Sequence, residues 1–153
     1  MADLREAERR FVNRVVNPFA VAMLRRGLAA PTYALVETTG RRSGRPVVVP
    51  VANGLDGEVF WLLAGRGEQA SFVRNIVADP RVRVLARPPL LRNGLRNQWR
   101  TGTAVPLPDD DAWTRHHQLG RGRPLYRADG LFLRRLAHGH PPLTVRIDLD
   151  PAD

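Results

Sequence analysis

Cysteine is absent from this chain of 153 residues, and so is lysine, because all 24 basic residues are arginine. Without cysteine there is no disulfide, no thiolate nucleophile and no Cys-based zinc or iron–sulfur site. Without lysine there is neither a Schiff-base nucleophile nor a P-loop lysine. No apolar run approaches the ~20 residues that span a bilayer. Acids and arginines interrupt the first sixteen residues, so no signal-peptide pattern opens the chain, and a cytoplasmic location is expected. Neither internal repeats nor a linker rich enough to separate domains is present. No Ser-His-Asp arrangement can be argued from order or spacing.

What is present is positive charge and enough apolar residues for a core. The 24 arginines face 15 acids, a net charge of +9, and 43% of residues are hydrophobic. The balance favours anionic partners: a phosphorylated or carboxylated cofactor, a lipid surface, or nucleic acid. The length suits one domain over 1–153. It would comprise a helical segment over 1–27 and a mainly β body over 28–153.

Residues 3–16 have helical periodicity, with Leu4, Ala7, Phe11 and Val15 on one face. Asn17-Pro18 restarts a helix that Gly27 ends. From Tyr33 the pattern turns to short strands, expected at 33–38, 45–52, 58–64, 81–87, 95–105 and 143–149. Turn chemistry lies at Leu55-Asp56-Gly57 and Asn93-Gly94. Helices are expected over 68–78, stopped before Asp79-Pro80, from a cap in Asp109-Asp110-Asp111 to Leu119, and over 129–137. Six strands with flanking helices predict a small, closed, largely antiparallel barrel.

The stretch Thr38-Thr39-Gly40-Arg41-Arg42-Ser43-Gly44-Arg45 lies between the apolar runs Tyr33–Val36 and Val47–Val51. It describes a hairpin tip suited to an anion. Its glycines let N–H groups turn toward a ligand, Ser43 adds a hydroxyl, and its arginines add fixed charge. A basic turn with solvated arginines is the simpler alternative.

That loop, the Pro50 that closes the next strand, and the later AGRGEQASFVRNIVADPRVRV together resemble the deazaflavin (coenzyme F420)-dependent nitroreductase and quinone reductase family. The similarity covers roughly residues 30–87. It implies a split β-barrel of the FMN-binding type that binds reduced F420 and passes a hydride to a quinone, a nitro compound or a similar electron-poor molecule. The positions it implies for cofactor contact are Arg41, Arg42, Ser43, the strand Val47, Val48, Val49, Pro50 and Val51, then Ala64, Gly65, Arg66 and Gly67, and Phe72, Val73, Arg74 and Asn75. The residues suit the cofactor: arginines, a hydroxyl and free N–H groups for its phosphodiester and glutamate tail, a valine wall for its flat ring, and a helix start near Glu68 for phosphate. Two departures from the family pattern stand out. Val47 occupies a position where an arginine is usual, with Arg45 two residues earlier as its substitute. Phe72 replaces a tryptophan.

Two other readings remain open at this level. Split barrels also hold FMN, whose phosphate the hairpin tip would bind, and fold does not fix the cofactor. Alternatively the charge serves nucleic acid or an anionic surface without redox chemistry, although no nucleic-acid motif appears and none is expected as partner. Arg92, Arg96 and Arg100 near Trp99 fit either base stacking or a solvated hairpin. The pairs His116-His117 and His138-Gly139-His140 lack the companions of a metal site, so no metal is expected. Tyr126, in an expected loop, carries the plainest proton donor near the acceptor pocket; a structural tyrosine is the alternative. Glu37 fits a surface or paired charge. Residues 3–26, with six arginines against three acids, form either a cover for the barrel or a peripheral contact with the inner face of an anionic membrane. Monomer and dimer are equally compatible with the sequence.

Overall fold

The computed structural model describes residues 18, 21–22, 33–86, 99–137 and 139–151. Seven strands, β1 (Tyr33–Thr39), β2 (Pro46–Ala52), β3 (Leu55–Asp56), β4 (Val59–Ala64), β5 (Arg81–Leu85), β6 (Trp99–Leu107) and β7 (Leu143–Leu149), are joined by helices α1 (Ser71–Ala78), α2 (Ala112–Leu119) and α3 (Pro124–Ala137). The strands form one antiparallel sheet in the order β2-β1-β5-β6-β7-β4-β3. The sheet curls so far that both its edges reach one core. Val49 and Val51 of β2 and Leu55 of β3 pack on the same cluster as Val36, Val84, Phe60, Val145 and Ile147. The expected split barrel is therefore the fold, with one correction. Its hydrogen bonding is open, because β3 is only two residues long and pairs with β4 alone.

Alternation sorts each strand between an apolar inside and a charged outside. On β5, Val82 and Val84 are buried while Arg81 and Arg83 point out. The outer arginines have partners. Arg83 grips Glu37 of β1 through two bonds of 2.8 Å, as suits a paired charge, and lies over Trp99. Arg81 meets Asp150 at 2.8 Å, Arg100 pairs with Glu58, and Arg146 with Asp148. On this face the arginines of β5, β6 and β7 are thus paired with carboxylates; Arg92 and Arg96 lie outside the described residues.

The helices follow the sequence signals with one shift. Asp111 is the cap of α2, its carboxylate accepting from the Thr114 N–H at 3.0 Å, while Asp110 pairs with Arg115 at 2.9 Å. That carboxyl–guanidinium bond holds the Asp110 carboxyl below its ordinary value. Helix α3 begins at Pro124 and not near 129, because proline is pre-set for the first helical position. The expected N-terminal helices lie largely outside the described residues. Val21 of that segment is helical and packs on the outer face of the sheet against Leu35, Leu85, Val48 and Trp99. Among the described residues no helix is long and apolar enough to cross a membrane.

Candidate functional site

The two sequence blocks, separated in the chain by β2, β3 and β4, are joined by a side-chain lock at one end of the barrel. The β1–β2 tip is a tight turn in which the Gly44 N–H donates to the Gly40 carbonyl and the Gly40 N–H to that of Arg45, both at 2.8 Å. Gly44 has φ +66, a left-handed conformation that side chains resist. The Ser43 hydroxyl accepts the Arg45 N–H at 3.2 Å and keeps its own proton to donate. Beyond the tip, the Asn75 carbonyl oxygen of α1 accepts the Arg41 backbone N–H at 3.2 Å and an Arg41 guanidinium N–H at 3.1 Å. The same guanidinium reaches the Ser71 carbonyl at 3.5 Å, in the first turn of α1. Asn75 completes the lock by donating to the Thr38 hydroxyl at 3.1 Å.

Charge at this end is unlike that of the sheet face. Arg41, Arg42, Arg45, Arg66 and Arg74 have no carboxylate partner among the described residues. Arg74 is held by neutral acceptors, the Glu68 carbonyl and the Gln69 amide, both at 3.4 Å. The first turn of α1 contains no acid to offset its positive end. A groove of about 530 Å³ opens beside the lock, lined by Arg41, Glu68, Arg74 and an apolar wall that includes Val73, Val77 and Leu143. A volume of this order accommodates a small organic molecule.

The remaining expected positions divide by location. Arg42, Ser43 and Arg45 are exposed at the tip, and Gly65 and Arg66 are half-buried. Arg45 does not share an extended strand with Val47, because β2 starts only at Pro46. The valine wall of β2 is not continuous. Val49 and Val51 face the core, Val48 lies on the opposite face with Leu35, and the pleat sends Pro50 with Val48. Val47, 38% exposed, is the valine of this strand nearest the tip. Ala64 is buried, and Phe72 is half-buried against the core. Gly67, at φ +54, is close-packed for the protein's own sake: a Cβ there would lie 2.6 Å from the Pro141 carbonyl oxygen. Asn75, 3% exposed, braces the tip and is not open to a ligand.

Tyr126 is corrected. It lies in α3 and not in a loop, is 2% exposed, and stacks on the buried His116 ring at 4.8 Å between centroids. Among the described residues no three metal-ligand side chains come together, and His138 lies outside them.

Sequence reading assigned no role to Val77, Pro106, Pro108 or Leu143. For Val77 a signal existed, since it follows Val73 by four residues and so shares its helix face. For Pro106, Pro108 and Leu143 there was none, because they arrive from the far ends of β6 and β7.

An open, curled antiparallel barrel with a cationic mouth and an apolar groove defines a split-barrel protein built for an anionic, partly apolar ligand. A family model described as F420H(2)-dependent quinone reductase matches residues 8–128, and the chain belongs to that family. It is accordingly an F420-dependent oxidoreductase, with coenzyme F420 the cofactor the family implies. No curated protein matches the chain. Among solved structures, it is similar to HutZ, the heme storage protein of Vibrio cholerae, at 16% identity over 87% of this chain and 89% of that one, TM-score 0.53. It is also similar to Atu2129 of Agrobacterium tumefaciens, a protein of unknown function, at 20% identity over 86% of this chain and 54% of that one, TM-score 0.54. At these identities the likeness is one of fold alone. The mouth fits the cofactor on its own chemistry: unpaired guanidinium charge and a hydroxyl for phosphodiester and carboxylates, beside apolar surface for a ring system.

Proposed function

We propose that this enzyme reduces a small electron-poor acceptor, a quinone, a nitro compound or a molecule of like character, with reduced coenzyme F420. The observation that carries the reading is the division of the arginines. Arg81, Arg83, Arg100 and Arg146 on the sheet face are paired with carboxylates, whereas Arg41, Arg42, Arg45, Arg66 and Arg74 have no carboxylate partner among the described residues. A protein with no anionic ligand to bind gains nothing from holding like charges together.

When bound, the reduced deazaflavin supplies the hydride, so the chain needs no cysteine, lysine or metal of its own. Its residues bind and orient. Arg41 and Arg42, with the Ser43 hydroxyl, hold the anionic end, and Val47 offers apolar surface beside them. The groove along Val73, Val77 and Leu143 offers an apolar surface to the acceptor.

Fluorescence titration with F420, followed by reoxidation of F420H2 with menadione or a nitroaromatic, tests this. Binding with turnover is expected. Replacing Arg42 by alanine raises Kd about tenfold, since a charge-assisted contact contributes roughly 1.5–3 kcal/mol. The loss shrinks at high salt, and for cofactor with fewer glutamates. Binding without turnover of any quinone or nitro compound defeats the acceptor assignment. Equal binding by parent and Arg42→Ala at low salt defeats the tip as the anion site.

A further inference from the structure

Asn75 is an uncommon kind of buried residue: an amide whose visible bonds reach across to the hairpin tip. It is 3% exposed and its partner Thr38 is 1% exposed. Its carbonyl oxygen accepts two donors from Arg41, and its amide donates to the Thr38 hydroxyl. The orientation of the amide is fixed by its neighbours, because both Arg41 groups are donors only and would oppose an NH2. A carboxylate has the same shape and would bond the guanidinium more strongly. It would also cancel the charge. Two other arginines, Arg83 and Arg115, are held by the carboxylates of Glu37 and Asp110, while Arg123 is held by the Asn53 and Leu55 carbonyls. At the mouth a neutral amide does the same work.

We propose that Asn75 is a positioning residue that fixes the Arg41 guanidinium in place while leaving its positive charge unspent, for the anionic end of the cofactor. The inference rests on the reading of the mouth as the F420 site. Asparagine, not aspartate, is required because geometry and charge must be supplied separately: the amide supplies the geometry and the ligand receives the charge. The Ser71 carbonyl, the other acceptor on that guanidinium, is neutral as well.

The decisive variant is Asn75→Asp, which keeps the acceptor toward Arg41 and removes its neutrality; the NH2 that donates to Thr38 is lost as well, and the Thr38 hydroxyl can donate to the carboxylate in its place. Its melting temperature is expected to stay within a few degrees of the parent's. Its F420 Kd, read by fluorescence titration, is expected to rise about tenfold, with a shallower salt dependence because one charge has been withdrawn. In an Arg41→Ala background the same aspartate is expected to change Kd less than twofold, the charge it would cancel being gone. Asn75→Asp that binds F420 like the parent with an unchanged salt dependence overturns the inference. So does a tenfold loss that persists without Arg41. A readout free of ligand separates this from the functional reading. In NMR of the free protein, the Arg41 guanidinium should rotate slowly in the parent and in Asn75→Asp, and freely in Asn75→Ala. Should the parent fail to bind F420, the functional reading falls and with it the use of the charge. The guanidinium measurement then decides the positioning, and equal rotation in parent and Asn75→Ala overturns it.

Discussion

Residues in this protein are specified by very local demands, and Gly67 shows how a functional-looking residue can be a structural one. A glycine in a Gly-Arg-Gly loop invites the reading that backbone must approach a phosphate. Here the left-handed φ and the Pro141 carbonyl, 2.6 Å from where a Cβ would be, already require it. Gly67→Ala is therefore expected to lose about 1–2 kcal/mol from backbone strain alone, with the clash adding to it. A thermal melt several degrees below the parent's is the expected result, and an unchanged melt refutes the account. Val47 makes the opposite case. It is 38% exposed next to the tip. Val47→Arg is expected to tighten F420 binding in low salt, since it adds a sixth charge to the mouth; weaker binding in the same titration counts against the tip as the anion site.

Elements are set by caps and pleats that sequence displays only incompletely. Three consecutive aspartates announced the start of α2, but not which one caps. The structure gives the cap to Asp111 and the ion pair with Arg115 to Asp110. Asp111→Ala should then cost about 1 kcal/mol, a fall of roughly 2–4 °C in Tm, with Asp111→Asn restoring most of it. Equal loss from Asp109→Ala, whose residue is exposed beyond the cap, contradicts the assignment. Strand alternation was equally legible: Arg81, Val82, Arg83 and Val84 predicted a half-buried strand, and β5 is one. The same rule corrects the expected valine wall. Five consecutive apolar residues on β2 cannot face one ligand, because a pleated strand divides them between two faces.

At the scale of the whole molecule, 24 arginines held against 15 acids make stability a matter of pH. The Asp110, Asp111 and Asp150 carboxyls lie below their ordinary value of 3.8, chiefly through bonds from Arg115, from the Thr114 N–H, and from Arg81 respectively. A carboxyl more acidic when folded stabilises the native state above its unfolded value and loses that contribution as pH falls through the folded one. The urea midpoint is accordingly expected to hold from pH 7 to about 5 and to drop below about pH 4, with Asp150→Asn showing the smaller drop. A midpoint that rises on acidification, or an identical drop in the variant, refutes this.

The sequence alone determined the class of fold, most of the strands and the two blocks that make the mouth. Those follow from short-range physics, namely period-two alternation, turn residues and caps, and from a family resemblance carried by adjacent residues. Only the tertiary structure decided what those blocks do to each other. That Asn75 holds Arg41, that Gly67 answers to Pro141, and that Pro106 and Leu143 complete the groove all depend on residues tens of positions apart. The division of the arginines into neutralised and unspent is of the same kind. A chain shows which residues carry charge, and can bring near neighbours such as Arg146 and Asp148 together, but strand pairing decides that Arg83 meets Glu37 and Arg81 meets Asp150.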